Sequence, residues 1–279
     1  MTRALSAELG GKYERLLGLL GELRSPLVAY SGGVDSTFLL AAAVAACGAA
    51  RVRAAVADGP SQPRAELEEA RRLAAGMGVE LEVVAAGEMD CAEYRANGPG
   101  RCYYCKSALF GRLKAVAQAR GCDAVLTGTN ADDEDDYRPG RRAEREYAVR
   151  TPLLEVGLGK EEIRALSRWL GLATAEQPAR PCLASRLAYG VEVTRERLGQ
   201  VERAEGFLRG LGLVQLRVRH HGQLARIEVP ADQIASLAVP GRREEIASFL
   251  KGLGFTWVTL DLQGFRSGSQ NEGLAEKGV

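Results

Sequence analysis

Two short stretches carry residue types that can do chemistry. Ser31-Gly32-Gly33-Val34-Asp35-Ser36 lies between the apolar run Pro26 to Tyr30 and an Ala/Leu-rich stretch. Backbone N–H groups at such a turn, with the dipole of a following helix, make an anion site, and phosphate is its natural guest. The two glycines let the backbone approach closely, Ser31 and Ser36 add hydroxyl donors, and Asp35 can orient the turn or hold a Mg2+ shell. Gly-Lys-Ser/Thr is missing, so this is not a Walker loop. A glycine turn that merely seats a helix on a sheet is the bland alternative, and the full six residues between strand and helix argue against it. The second stretch is Arg101-Cys102-Tyr103-Tyr104-Cys105-Lys106. Taken alone, its Cys-x-x-Cys is a zinc half-site, a redox pair or two incidental thiols. Lys106 serves phosphates, a metal group or plain surface solvation.

The elements that must position these residues alternate. Apolar spacing predicts a lead-in helix over 7–24, then strand Pro26–Tyr30 and a helix over about 35–47. Strand Arg51–Ala57, helix 63–77, strand Glu80–Val84, helix 107–120 and strand Ala124–Thr127 follow. This order implies an α/β fold with a doubly wound parallel sheet. A further helix starts near Gly159-Lys160 and ends at Gly171. The texture changes beyond about 190. A helix over Arg195–Leu211, alternating strands Val214–Arg219 and Leu224–Val229, a helix through 231–251 and a strand Phe255–Leu262 make an α-β-β-α-β module. The chain therefore reads as two domains, 1–189 and a smaller α+β domain 190–279, with a Gly/Ser-rich tail after Gly264 expected to fray.

Composition narrows the class. The chain has 279 residues, 46% of them hydrophobic, enough for one α/β core and a second small module. Its formal charge of +1 offers nothing global to a polyanion, so nucleic acid is not an expected partner. No apolar run approaches the roughly 20 residues that span a bilayer, and the first residues lack a secretory pattern, so a cytoplasmic protein is expected. In a reducing compartment six cysteines do not imply a disulfide framework. Cys47, Cys91 and Cys122 have no motif around them and read as buried small hydrophobes.

The phosphate loop resembles the signature of the PP-loop ATP pyrophosphatases. That resemblance implies ATP bound across the carboxyl ends of the strands, transfer of AMP to a substrate oxygen, release of pyrophosphate and help from Mg2+. It also implies that the strand ends at Ala57-Asp58-Gly59 and Thr127-Gly128-Thr129 line the adenosine pocket. Four more stretches, Arg101 to Lys106, Gly128-Thr129-Asn130-Ala131-Asp132-Asp133 running on to Gly140, Arg180-Pro181-Cys182-Leu183-Ala184-Ser185-Arg186 and Gly264 to Ser269, together look like the LarE family. That family thiolates a pyridinium biscarboxylic acid mononucleotide for a nickel-pincer cofactor. In members with a single cysteine at the position of Cys182, that cysteine gives up its sulfur and is left as dehydroalanine. This chain departs from that pattern, because Cys102, Cys105 and Cys182 match the branch that carries a 4Fe-4S cluster, with one iron open for sulfide. A sacrificial Cys182 and a zinc site stay open as alternatives.

Several further roles follow from this resemblance and from charge placement. Arg180 and Arg186 flank Cys182 and are expected to favour its thiolate for attack on an adenylated carboxyl carbon. Asp132, after the Gly-Thr-Asn turn, is expected to reach Mg2+ or the nucleotide. The acidic run Asp132 to Asp136 and the arginines after it otherwise read as a solvated loop. Arg217 and Arg219, two apart on a strand, are expected to point to one face and grip the substrate phosphate, with cross-strand pairing as the alternative. Glu205 and Asp232 are acidic candidates, and His220 and His221 receive no catalytic role. The expected partners are the small-molecule mononucleotide, sulfide or another sulfur source, and further copies of the chain in a homo-oligomer. The competing readings are a tRNA thiolase and a non-enzymatic ATP-binding protein.

Overall fold

The computed structural model describes residues 5–133, 139–178, 180–266 and 269. The elements run in the order α1 (Ala7–Gly21), β1 (Pro26–Ala29), α2 (Val34–Cys47), β2 (Arg53–Asp58), α3 (Arg64–Gly76), β3 (Glu80–Ala85), α4 (Ala92–Arg95), α5 (Arg101–Ala119), β4 (Ala124–Leu126), α6 (Gly140–Glu146), α7 (Pro152–Glu155) and α8 (Lys160–Trp169). There follow α9 (Arg195–Gly210), β5 (Arg217–His221), β6 (Leu224–Glu228), α10 (Ile234–Ala238), α11 (Arg242–Gly252) and β7 (Trp257–Leu260). They divide into two compact units, one made of residues 1–91 and 102–180, the other of 92–101 and 181–279.

In the first unit all strand pairs are parallel and lie in the order β3-β2-β1-β4. Successive side chains of a strand face opposite sides, and the strands are apolar on both. Val28, Ala54, Val56 and Leu126 pack against α1, α2, α3 and α8 through Leu16, Leu20, Phe38, Leu39, Ala70, Ile163 and Leu166. Leu27, Ala55, Val84 and Val125 face the other way, onto Phe110, Leu113 and Ala117 of α5 and Ala143 of α6. Crossovers from β1 to β2 and from β2 to β3 run one way on the first face, and the return from β3 to β4 uses the second. The direction therefore reverses between β1 and β4, where an open sheet of this kind leaves its binding crevice.

The boundary differs from the expected 189/190 division. Residues 92–101 and 181–189 belong with the C-terminal module because Asn97, fully buried, stitches them to it. Its amide donates to the carbonyls of Ala188 and Val191, both at 2.8 Å, and its own carbonyl oxygen accepts from Arg101. Asn97 holds a left-handed φ of 55°, which asparagine tolerates better than most residues.

In this second unit β5 and β6 form an antiparallel hairpin through Gly222, and β7 lies parallel to β6. Leu216, Val218, Ala225 and Ile227 pack against α9 and α11. Three expectations shift. β5 starts at Arg217, not Val214, which is 86% exposed. The helix expected through 231–251 breaks at Pro240-Gly241, where proline lacks the N–H and glycine takes φ 82°. The last strand spans only Trp257–Leu260, with Phe255 in the core before it. Ser267, Gly268 and the tail from 270 onward lie outside the described residues, as do Glu134 to Arg138 of the acidic loop. Among the described residues no helix is long and apolar enough to cross a membrane.

Candidate functional site

The phosphate loop turns at the carboxyl end of β1 and becomes the N-terminus of α2, with Gly33 as N-cap. Ser36 organises it: its hydroxyl donates to the Gly33 carbonyl at 3.2 Å, accepts from the Ser31 N–H at 3.2 Å and lies 3.1 Å from the Ser31 hydroxyl. Gly32 has φ 75°, and a Cβ there would sit 3.0 Å from the Ala70 Cβ on α3. Gly128, past the end of β4, is equally constrained, since a Cβ would lie 2.9 Å from the Ser36 nitrogen. The β4 end thus presses on the first turn of α2, whose leading N–H groups have no partner within the helix. Ala57 and Asp58 end the neighbouring strand β2, where Asp58 pairs with Arg64 at 2.6 Å.

Asp35 and Asp132 are drawn together by Lys160, which the sequence marks only as a helix start. The Lys160 ammonium meets the Asp35 carboxylate oxygens at 2.6 and 2.7 Å, and the Lys160 backbone N–H donates to Asp132 Oδ2 at 2.7 Å. Gly159 lets this happen, because a Cβ there would stand 3.0 Å from Asp132 Oδ1. The N-terminal ends of α2 and α8 therefore meet through one lysine. A cation in a helix's first turn opposes the helix dipole. That placement, Lys160 directly after an N-capping glycine, is the signal by which the sequence could have flagged it.

α5 begins at Arg101, six residues earlier than expected, so Cys102, Cys105 and Lys106 occupy its first turns. Cys102 and Cys105 are three apart on a helix and share a face. Cys102 is exposed and Cys105 half-buried, and none of the six cysteines is in a disulfide. Lys106 pairs with Glu144 at 2.6 Å. Cys182, exposed, caps the 3-10 turn Leu183–Arg186 in the second unit. Among the described residues no three His, Cys, Asp or Glu side chains come together as a metal site.

In the second unit Glu205, 1% exposed, accepts from Arg186 Nε at 2.9 Å, from Arg209 at 2.8 Å and from the Val218 N–H at 3.2 Å. Burial pushes its carboxyl up, but the Arg186 charge and hydrogen bonds, then Arg209 and Arg217, outweigh this and hold it below the usual range. Arg219 is buried, pairs with Glu228 at 2.9 Å and donates to the Ser185 carbonyl and the Ser269 hydroxyl. Arg217 is half-buried, lies over the Phe265 ring at 5.3 Å and is lowered to about 10 by burial and by the nearby Arg186 charge. Asp232 sits in the 3-10 turn before α10.

No protein-family model matches the chain. Over 270 residues it is 37% identical to the pyridinium-3,5-bisthiocarboxylic acid mononucleotide synthase of Lactiplantibacillus plantarum, spanning 97% of both chains. The chain belongs to the LarE family. It is also 44% identical over 268 residues to an uncharacterized protein of Synechocystis, spanning 96% of this chain and all of that one. With an uncharacterized protein of Methanocaldococcus jannaschii it shares 33% identity over 171 residues, 61% of this chain and 66% of that one.

Several expected contacts in this LarE-family chain take another form. The arginines flanking Cys182 are matched by carboxylates: Arg180 by Glu69 at 2.6 Å, and Arg186 by Glu205. Arg186 also donates to the carbonyls of Pro181 and Cys182, so its guanidinium addresses the Cys182 backbone. Glu205 and Arg219 are partners in buried ion pairs, whereas Arg217 is half-buried. Cys47 is buried, with its thiol raised by burial and directed to the Leu20 carbonyl, whereas Cys91 and Cys122 are half-buried. Asp133 is no solvated acid, since its carboxylate accepts from the Asn130 N–H at 3.1 Å.

Proposed function

We propose that this LarE-family protein is an ATP-dependent sulfurtransferase that adenylates a carboxylate of pyridinium biscarboxylic acid mononucleotide and converts it to a thiocarboxylate. The observation that carries the reading is near full-length similarity to a synthase of the corresponding bisthiocarboxylate, in a chain whose phosphate loop faces the switch point of its sheet. The N–H groups of 32–36 and the Ser31 and Ser36 hydroxyls bind the triphosphate tail. Asp35 has the hard carboxylate oxygens a magnesium ion takes, and binding one would require them to exchange the Lys160 ammonium they now hold. Asp132 and Asp35 would hold that ion, which when bound spreads the charge of the departing pyrophosphate.

A carboxylate repels nucleophiles until its oxygen carries AMP, so adenylylation must precede sulfur delivery. Three accessible or half-accessible thiols fit the soft-ligand chemistry of a cluster, with Cys102 and Cys105 on one helix face and Cys182 on its exposed turn. When bound, a 4Fe-4S cluster supplies an open iron at which sulfide can be renewed. The substrate phosphate engages Arg217, whose half-buried guanidinium on β5 has the fork geometry that suits a phosphate. Association into a homo-oligomer and a reducing cytoplasmic setting belong to the same proposal.

The test incubates anaerobically purified protein with ATP, Mg2+ and the biscarboxylate mononucleotide, with and without added sulfide. The expected result is AMP, pyrophosphate and a substrate mass shifted by replacement of oxygen with sulfur. Absence of pyrophosphate sinks the reading. Iron and acid-labile sulfide that disappear in Cys102→Ser support the cluster. Iron-free wild type that loses sulfur mass from Cys182 after turnover supports the sacrificial route instead.

A further inference from the structure

Glu144, on α6, carries no motif, yet among the described residues it is the most enclosed acid near the carboxyl end of β4. Its side chain is 4% exposed, and a single oxygen, Oε1, accepts from Lys106 at 2.6 Å, from Thr129 at 2.7 Å and from Thr127 at 3.5 Å. The two threonines flank Gly128, which abuts the phosphate loop. A buried carboxylate is costly without a matched charge. Lys106 supplies that charge from α5, one residue after Cys105.

The lysine is held along its length as well as at its head. Its stem lies across Gly140, where a Cβ would stand 2.7 Å from Lys106 Cδ and 3.1 Å from Cε. Its ammonium lies 5.8 Å from the centre of the Phe110 ring. A solvated surface lysine needs neither a glycine slot nor a buried counter-ion, and it retains its rotamer freedom. Lys106 nonetheless keeps 39% of its side chain exposed while its ammonium is held by Glu144.

We propose that Glu144, with Gly140, is a positioning residue that presents the Lys106 ammonium at the carboxyl end of β4, where it meets the negative charge that develops on the nucleotide or acyl oxygen during adenylylation. This rests on the reading that ATP is cleaved at the neighbouring loop. The chemistry is electrostatic: a cation held before reaction stabilises developing charge without reorganising. Glu144 acts only through Lys106.

That dependence is measurable. Pyrophosphate release from ATP and the biscarboxylate mononucleotide is compared for wild type, Glu144→Gln, Lys106→Met and the double variant, with thermal unfolding followed alongside. Each single change should lower kcat by at least about tenfold, with KM for ATP changed by less than about threefold. The double variant should be no slower than Lys106→Met, within about twofold. Gly140→Ala, which leaves Glu144 intact and crowds the lysine stem, should lower the same rate, and it carries the test should Glu144→Gln fail to fold. Losses that multiply in the double variant, or wild-type kcat in Glu144→Gln or Gly140→Ala, overturn the assignment. A wild-type protein that releases no pyrophosphate refutes the ATP reading itself and takes this inference with it.

Discussion

Glu205→Gln isolates the charge at the centre of the second unit. Glutamine keeps the side chain's volume and one accepting oxygen, so the Val218 N–H and the surrounding packing are little disturbed. Lost is the negative charge facing Arg186, whose side chain is 3% exposed against 1% for Glu205. Removing one partner of such a pair costs about 3–5 kcal/mol, because the other is left buried and unmatched. Here the cost is increased by Arg217 and Arg209, whose positive charges also lean on Glu205. Urea unfolding of the full chain, monitored by circular dichroism, should show a midpoint shift of that size in the transition of the second unit. A control follows from the same physics: Arg186→Met with Glu205→Leu removes both charges and should recover much of the loss. The acid limb gives an independent check. Glu205 is held below the usual carboxylate range, so its contribution is complete above about pH 4.5 and fades as the pH falls through its lower folded value. Glu205→Gln should lack that component. A loss below about 1 kcal/mol, or a double variant as unstable as the single one, would refute the reasoning.

Two other expectations follow from single contacts. Lys160→Met should weaken ATP binding by about tenfold or more, equivalent to about 1.4 kcal/mol, while AMP affinity changes less; calorimetric titration of both nucleotides distinguishes this from general damage, which would move them together. His220 is lowered to about 4 by burial and by the Arg197 charge, with its Nδ1 accepting from Gly222 and its Nε2 facing Gln200 Oε1. The unfolded chain takes up that proton first, so stability should fall between about pH 6.5 and 4 by on the order of 2 kcal/mol. His221, lowered by burial and Arg226, adds in the same direction, and a His220→Gln variant should lose most of the dependence in denaturant titrations.

The parallel sheet and the phosphate loop were legible in the chain because both depend on local chemistry. Apolar runs set the strands, glycines permit the turn at Gly32, and the helix that follows needs no distant partner to point its N–H groups at an anion. The motif order also carried the family, since Cys102 to Lys106, Gly128 to Asp132 and Arg180 to Arg186 can be read in order along the chain whatever their packing. Tertiary structure decided how the charges are used. Arg219 and Glu205 look alike as exposed candidates in a linear pattern, but Glu228 and Arg186 reach them from elsewhere in the fold and bury them as pairs. Lys160 and Glu144 carried no motif, and their roles appear only where α8 meets α2 and α6 meets α5. Pairing over 125 residues, as between Lys160 and Asp35, leaves no periodic trace in a sequence. A turn is specified by neighbours along the chain, whereas a counter-ion is specified by neighbours in space.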